Sequence, residues 1–259
     1  MIESVGIIGV GHLASYIVEG LMKAAPETKI ILSPRNVEKS KTLATRFRAK
    51  VAENNQEVVD KTSIIMITTR PEDTIAVSEN LSFHTDQTVI SVAVGLPLEN
   101  LSALISPATV VRAIPISCAA INQSPTLLFP DNPQARALLA LLGQVHVLPD
   151  ESCFTSASVI GAFYGWIYAL LDETISWTTQ TGIPQHIATS LILETVRGAV
   201  NMALSELNID LSDMLDTLAT PGGITTLGLK VLHQQNGLAA WTNALNAVHK
   251  RLSVPEKTK

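Results

Sequence analysis

The sequence predicts an α/β domain with a mostly parallel sheet, followed by an all-helical domain. Three observations carry that prediction. Up to Pro149-Asp150, short continuous apolar runs alternate with runs of helical periodicity. Beyond it the strand signals stop and helical periodicity takes over. At the first junction, the run Val5-Gly6-Ile7-Ile8 meets the turn Gly9-Val10-Gly11-His12-Leu13-Ala14, and an amphipathic stretch follows (Ile17, Val18, Leu21, Met22). Strands that are apolar throughout and separated by helices lie in a sheet covered on both faces. The expected boundary gives residues 1–150 and 151–259.

The elements follow in order. Lys29 to Ser33 reads as the second strand and Asn36 to Phe47 as its helix, with Asn36 suited to the N-cap. Ser63 to Thr68 is a continuous apolar strand, and a helix runs from Pro71 towards Leu81. Thr88 to Ala93 and Thr109 to Ile114 are further strands. Thr126 to Phe129, a helix from Pro133 to Leu142 and Val145 to Leu148 complete the alternation. The helical part holds runs from Glu151 to Thr181, from Gln185 to about Leu207, and shorter ones from Ser212, from Gly223 and from Gly237 to Leu252. Breaks fall at Gly182-Ile183-Pro184, Asn208-Ile209-Asp210 and Pro221-Gly222-Gly223, and a polar tail ends the chain.

The first turn has the chemistry of a dinucleotide site. Gly9 permits the tight turn, Gly11 leaves room for backbone N–H groups to approach a pyrophosphate, and Ala14 lets the helix pack closely on the strand. The helix N-terminus attracts the phosphate charge. An NAD-preferring site offers Asp or Glu at the end of the second strand; here Ser33-Pro34-Arg35-Asn36 supplies donors and a positive charge. That favours NADP(H), with Ser33, Arg35 and Asn36 on its 2′-phosphate. A turn and helix cap alone is the plainer reading of the same residues.

A second turn, Thr220-Pro221-Gly222-Gly223-Ile224-Thr225-Thr226, brings two glycines to the start of a helix. Successive N–H groups there suit a carboxylate, with the hydroxyls of Thr225 and Thr226 beside it. An ordinary inter-helix turn is the competing reading.

Composition narrows the function classes. Of 259 residues 46% are hydrophobic and 16% charged, which favours filled cores and a sizeable buried interface. A net charge of −5 gives no reason to expect nucleic acid or an anionic membrane as partner. Cys118 and Cys153 lack metal-type spacing, and His84, His146, His186, His233 and His249 form no ligand set, so no metal is expected. Glu3 stands where a signal peptide would be basic. The longest apolar stretch, Val159 to Leu171, is too short to span a bilayer, and a buried helix explains it. A cytoplasmic protein is the expectation.

Five motifs occur in order: Gly9-Val-Gly-His-Leu-Ala14, Thr69-Arg70-Pro71, Val110-Val-Arg-Ala-Ile-Pro115, Thr195-Val-Arg-Gly-Ala199 and Thr220-Pro-Gly-Gly-Ile-Thr225. Together they resemble pyrroline-5-carboxylate reductases over nearly the whole chain. The resemblance implies an N-terminal NADP-binding Rossmann domain, to which Gly9, Gly11, His12, Leu13, Ala14, Thr69, Arg70 and Pro71 contribute. It implies a helical domain that interlocks with a second subunit, giving a homodimer or a multiple of dimers. It also implies a substrate carboxylate on the backbone of Gly222, Gly223, Ile224 and Thr225, with Thr226 adjacent. Thr225 would hydrogen-bond the nitrogen of a cyclic imine as hydride arrives from nicotinamide C4.

Two departures stand out. The family reads Met-Pro-Asn-Thr-Pro where this chain has Ile114-Pro115-Ile116-Ser117-Cys118. It reads Ser-Gly-Ser-Gly-Pro-Ala-Tyr where this chain has Ile160-Gly161-Ala162-Phe163-Tyr164-Gly165-Trp166. Either Phe163 and Tyr164 pack into a dimer core, or the pocket is reshaped for another imine or partly closed. The alternatives are therefore a different imine substrate, or a catalytically silent NADP-binding paralogue. A β-hydroxyacid dehydrogenase is disfavoured, because no Lys lies between Lys61 and Lys230 to serve as its acid and base.

Overall fold

The computed structural model describes residues 2–253. The chain divides into two compact units. The first runs to Gly161 and takes in Arg251–Ser253; the second is Ala162–Lys250. The polar tail from residue 254 lies outside the described residues.

The first unit alternates β1 (Ser4–Ile8), α1 (His12–Ala24), β2 (Lys29–Leu32), α2 (Val37–Phe47), β3 (Lys50–Val51), α3 (Asn55–Asp60), β4 (Ile64–Ile67), α4 (Pro71–Ser78), β5 (Thr88–Ser91), α5 (Leu98–Ile105) and β6 (Thr109–Ile114). A 3-10 turn (Ser117–Ile121), β7 (Thr126–Phe129), α6 (Pro133–Ala140) and β8 (Val145–Val147) follow. The sheet order is β3-β2-β1-β4-β5-β6-β7-β8. Neighbours are parallel except β6 and β7, where Arg112 faces Phe129 and Ile114 faces Leu127 in an antiparallel pair. Between those two strands the chain makes only a 3-10 turn, too little for the crossover a parallel pair needs.

Successive strand residues feed two cores. Val5 and Ile7, Ile30 and Leu32, and Ile64 and Met66 pack on one face of the sheet. Ile8, Ile31, Ile65 and Ile67 pack on the other. Both faces are therefore dry, which is why these strands read as unbroken apolar runs. Each fully buried side chain of this size stabilises by roughly 1.5–3 kcal/mol. The strand order reverses at β1, which lies between β2 and β4. A crevice beyond the carboxyl ends of the strands forms at such a reversal.

Five helices occupy the rest of the described chain: α7 (Ser152–Gln180), α8 (Gln185–Ser205), α9 (Leu211–Leu218), α10 (Ile224–Gln234) and α11 (Gly237–Ser253). The division between units falls inside α7 rather than at Pro149-Asp150. Its first turns are built into the first unit, where Phe154 is 1% exposed and Ser158 and Val159 are buried.

The helix α7 spans 29 residues, in keeping with the run expected from Glu151 to Thr181, but the expectation that its apolar stretch is buried needs correction. In the single chain Ile160, Tyr168, Leu170 and Trp177 are exposed. By length and composition alone, α7 and α8 could each cross a membrane. Apolar residues are exposed along α8 to α10 as well, among them Leu191, Val200, Leu215 and Leu227. These faces need a cover that the single chain does not supply.

Candidate functional site

Gly9 adopts φ +96°, and a Cβ there would lie 2.5 Å from Thr69 Cγ2 and 2.8 Å from the Thr69 nitrogen, so only glycine fits. The Gly9 N–H donates to Ser33 Oγ at 3.0 Å, while Thr68 Oγ1 donates to the Gly9 carbonyl at 2.7 Å. The turn is thus held from β2 on one side and β4 on the other. A Cβ on Gly11 would meet only the Gly9 carbonyl, at 4.0 Å, so this side of the turn is open space. Gly11 is the N-cap of α1; no side chain caps it and no acid lies in the first turn. The N–H groups of His12, Leu13 and Ala14 therefore have no partner within the helix. An open helix end, free of acids and without a Cβ at its mouth, fits a pyrophosphate. Ala14 is fully buried beneath it, whereas His12 is exposed.

The β2 end differs from expectation at Ser33. It is 1% exposed, and its hydroxyl braces the glycine turn instead of standing free for a phosphate. Arg35 is exposed and pairs through Nη1 with Asp73 Oδ1 of α4 at 3.0 Å. Asn36 caps α2, its Oδ1 accepting from the Lys39 N–H at 3.2 Å. On the β4 side, Thr69 and Thr74 share a hydroxyl hydrogen bond of 2.7 Å, Arg70 is the N-cap of α4, and Pro71 opens that helix. These residues are brought together at the strand ends of β1, β2 and β4.

The chain after β6 is pinned over a short distance. Ile116 N–H donates to Ser124 Oγ at 2.9 Å, and Asn122, in the left-handed region at φ 58°, donates to the carbonyls of Gly20 and Leu141 at 2.8 and 2.6 Å. Cys118 Sγ donates to the Gln123 carbonyl at 3.1 Å, so this thiol is tied into the loop rather than serving as apolar filler. Arg112 on β6 is 5% exposed, pairs with Glu151 Oε1 at 2.6 Å and stacks 4.0 Å over the Phe154 ring. Burial pushes its pKa down, and the Glu151 carboxylate opposes that shift. The sequence signal for this buried pair is a lone arginine in an otherwise apolar strand.

In the second unit the 220s turn leads directly into α10. Gly222 has φ +75°, and Gly223, whose N–H donates to the Thr220 carbonyl at 2.9 Å, is the N-cap of α10. No side chain caps that helix and its first turn is free of acids. Thr226 Oγ1 donates to the Thr220 carbonyl at 2.7 Å and so closes the turn. Thr225 is half-buried one position earlier, and Ile224 is 90% exposed. The first-turn N–H groups remain available to an anion. Phe163 on α7 packs edge-on against Trp166 and Trp241, at 6.3 and 5.8 Å between centroids. Its ring is therefore a member of an aromatic cluster within its own unit.

Two family models match the two halves: "NADP oxidoreductase coenzyme F420-dependent" over residues 4–95 and "Pyrroline-5-carboxylate reductase dimerisation" over residues 152–254. A pyrroline-5-carboxylate reductase of Pseudomonas aeruginosa is 27% identical over 260 residues, covering 95% of this chain and 94% of its own. Both matches support the pyrroline-5-carboxylate reductase family. The fold agrees. The Streptococcus pyogenes pyrroline-5-carboxylate reductase superposes with a TM-score of 0.84 at 24% identity, over 96% of this chain and 97% of that one. The Plasmodium falciparum pyrroline carboxylate reductase with NADP bound gives 0.86 at 20% identity, over 97% of each. The exposed apolar faces of α7 to α10 fall in the segment matched by the dimerisation model.

Proposed function

We propose that this protein is an NADPH-dependent reductase of a cyclic imino acid, with 1-pyrroline-5-carboxylate converted to proline, working in the cytoplasm as a homodimer or a multiple of one. The observation that carries this reading is the uncapped N-terminus of α10 with Thr225 in its first turn. In a family of imine reductases, that is a carboxylate receptor with one hydroxyl beside it.

The first unit holds the cofactor. Gly9 and Gly11 shape the turn, and the open end of α1 takes the pyrophosphate. Arg35 and Asn36 reach the 2′-phosphate, and Thr69, Arg70 and Pro71 form the adjoining wall. Bound NADPH supplies the hydride. The Gly223 N–H is spent on the Thr220 carbonyl, so the N–H groups at Ile224 and Thr225 hold the substrate carboxylate and fix the ring. Thr225 Oγ1 hydrogen-bonds the ring nitrogen, orienting the protonated imine or passing it a proton from water. The C=N bond thus gains hydride on carbon, and its nitrogen keeps the proton.

NADPH oxidation across five- and six-membered cyclic imino acids tests the reading, with the fastest turnover expected on the five-membered ring. Thr225→Val keeps the shape and removes the hydroxyl, so kcat should fall roughly 10²-fold with NADPH affinity unchanged. Full turnover in that variant would refute the role. NADPH binding without oxidation of any cyclic imine would install the silent-paralogue reading instead.

A further inference from the structure

Arg35 does not stand alone at the end of β2. Its Nη1 is 3.0 Å from Asp73 Oδ1, which comes from the first turn of α4, and both groups reach solvent, with side chains 71% and 38% exposed. Ser33, which occupies the place of the acid in NAD-preferring sites, is buried and committed to the Gly9 N–H. The carboxylate held against the expected 2′-position therefore arrives from β4–α4, not from β2. We propose that Asp73 is a specificity-determining residue that limits the preference of this site for 2′-phosphorylated nucleotides. The inference rests on the cofactor assignment made above.

The physical argument has two parts. A carboxylate bonded to Arg35 sits within about two hydrogen-bond lengths of any phosphate on the same guanidinium, and like charges at that separation repel. It also occupies one donor of the fork that would otherwise grip the phosphate on two oxygens. Against a nucleotide with a free 2′-hydroxyl neither cost arises, and the same carboxylate offers that hydroxyl an acceptor. Loss of the charge relieves the repulsion and loss of the side chain also frees the donor, so either raises affinity for the 2′-phosphorylated form relative to the other.

The test uses equilibrium binding of 2′,5′-ADP and 5′-AMP to the full chain, and so needs no turnover. Asp73→Asn keeps the oxygen that accepts from Arg35 and removes the charge; Asp73→Ala removes both. Each should raise the preference for 2′,5′-ADP by about three- to tenfold at low ionic strength, with the gain shrinking as salt is added. A fall in 2′,5′-ADP affinity in Asp73→Ala but not Asp73→Asn would overturn the proposal by making Asp73 a holder of Arg35. An unchanged ratio in both variants, with a parent that prefers 2′,5′-ADP, would overturn the proposal alone. A parent without that preference would overturn the NADP assignment and this inference together.

Discussion

At the scale of single residues, Ser33 and Arg35 are two positions apart and do different work. Ser33 Oγ accepts the Gly9 N–H from a buried position, while Arg35 projects into solvent. Ser33→Ala leaves a backbone donor without its partner, at a cost of about 1–3 kcal/mol. Because the glycine turn is what loosens, NADPH and NADH should weaken together. Arg35→Ala should weaken NADPH alone, by roughly 1–3 kcal/mol for a hydrogen-bonded charge. Thermal unfolding with parallel titrations of both cofactors checks the pair, and Ser33→Ala impairing only NADPH would return this serine to the phosphate. The sequence places both residues correctly at the end of β2, but says nothing of which one faces inward. That depends on how the strand end seats under a turn 24 residues earlier.

At the scale of elements, the β3–α3 corner is held by one carboxylate. Glu57 accepts from the Glu53 N–H at 2.6 Å and from Lys50 and Lys61 at 2.7 and 2.5 Å. The Glu53 N–H leads in lowering its pKa from the ordinary 4.5 to about 2, with both lysines adding to it. The folded form therefore prefers the ionised group. Its contribution to stability is complete above pH 4.5 and is lost as pH falls towards 2. In Glu57→Gln the stability difference from the parent should shrink across that window and stay constant above it, as acid titrations of chemical denaturation would reveal. A difference independent of pH would contradict the assignment. This corner was illegible in the sequence, since β3 has two residues and α3 only six. The same holds for α5, a short helix entered through Pro97. Long runs with one clear period are legible; elements of about two turns or fewer take their form from what they pack against.

At the scale of the whole molecule, the apolar composition finds its explanation in what the single chain leaves uncovered. Leu191, Val200, Leu215, Leu218, Leu227 and Val231 are among the side chains exposed on the second unit. Sedimentation should give a dimer or a multiple at micromolar concentration, and Leu191→Glu with Val200→Glu should shift the mass towards monomer. A native-like monomer in the parent would contradict the assembly. The sequence marks these helices as apolar and lets their excess be read as an interface. It does not distinguish an apolar run buried within its own chain from one buried by a partner, which is why Val159 to Leu171 reads as a buried helix yet is exposed at Ile160, Tyr168 and Leu170 in the single chain. The glycine turns, by contrast, were legible because each is one contiguous segment. The Arg35–Asp73 pair joins residues 38 apart and was not.

Glu151 gives the first unit a property of a different kind. One of its carboxylate oxygens takes the Leu98 N–H and Arg112 Nη1, each at 2.6 Å. The first amide of α5, a strand in the middle of the sheet and the entry to α7 therefore share a single acceptor. Breaking it strands a nearly buried guanidinium as well as an uncapped helix end, so none of the three is free to open cheaply by itself. Seen through amide exchange, Leu98 stops behaving as a fraying helix terminus. Its proton is released in the same cooperative opening as the strand that carries Arg112.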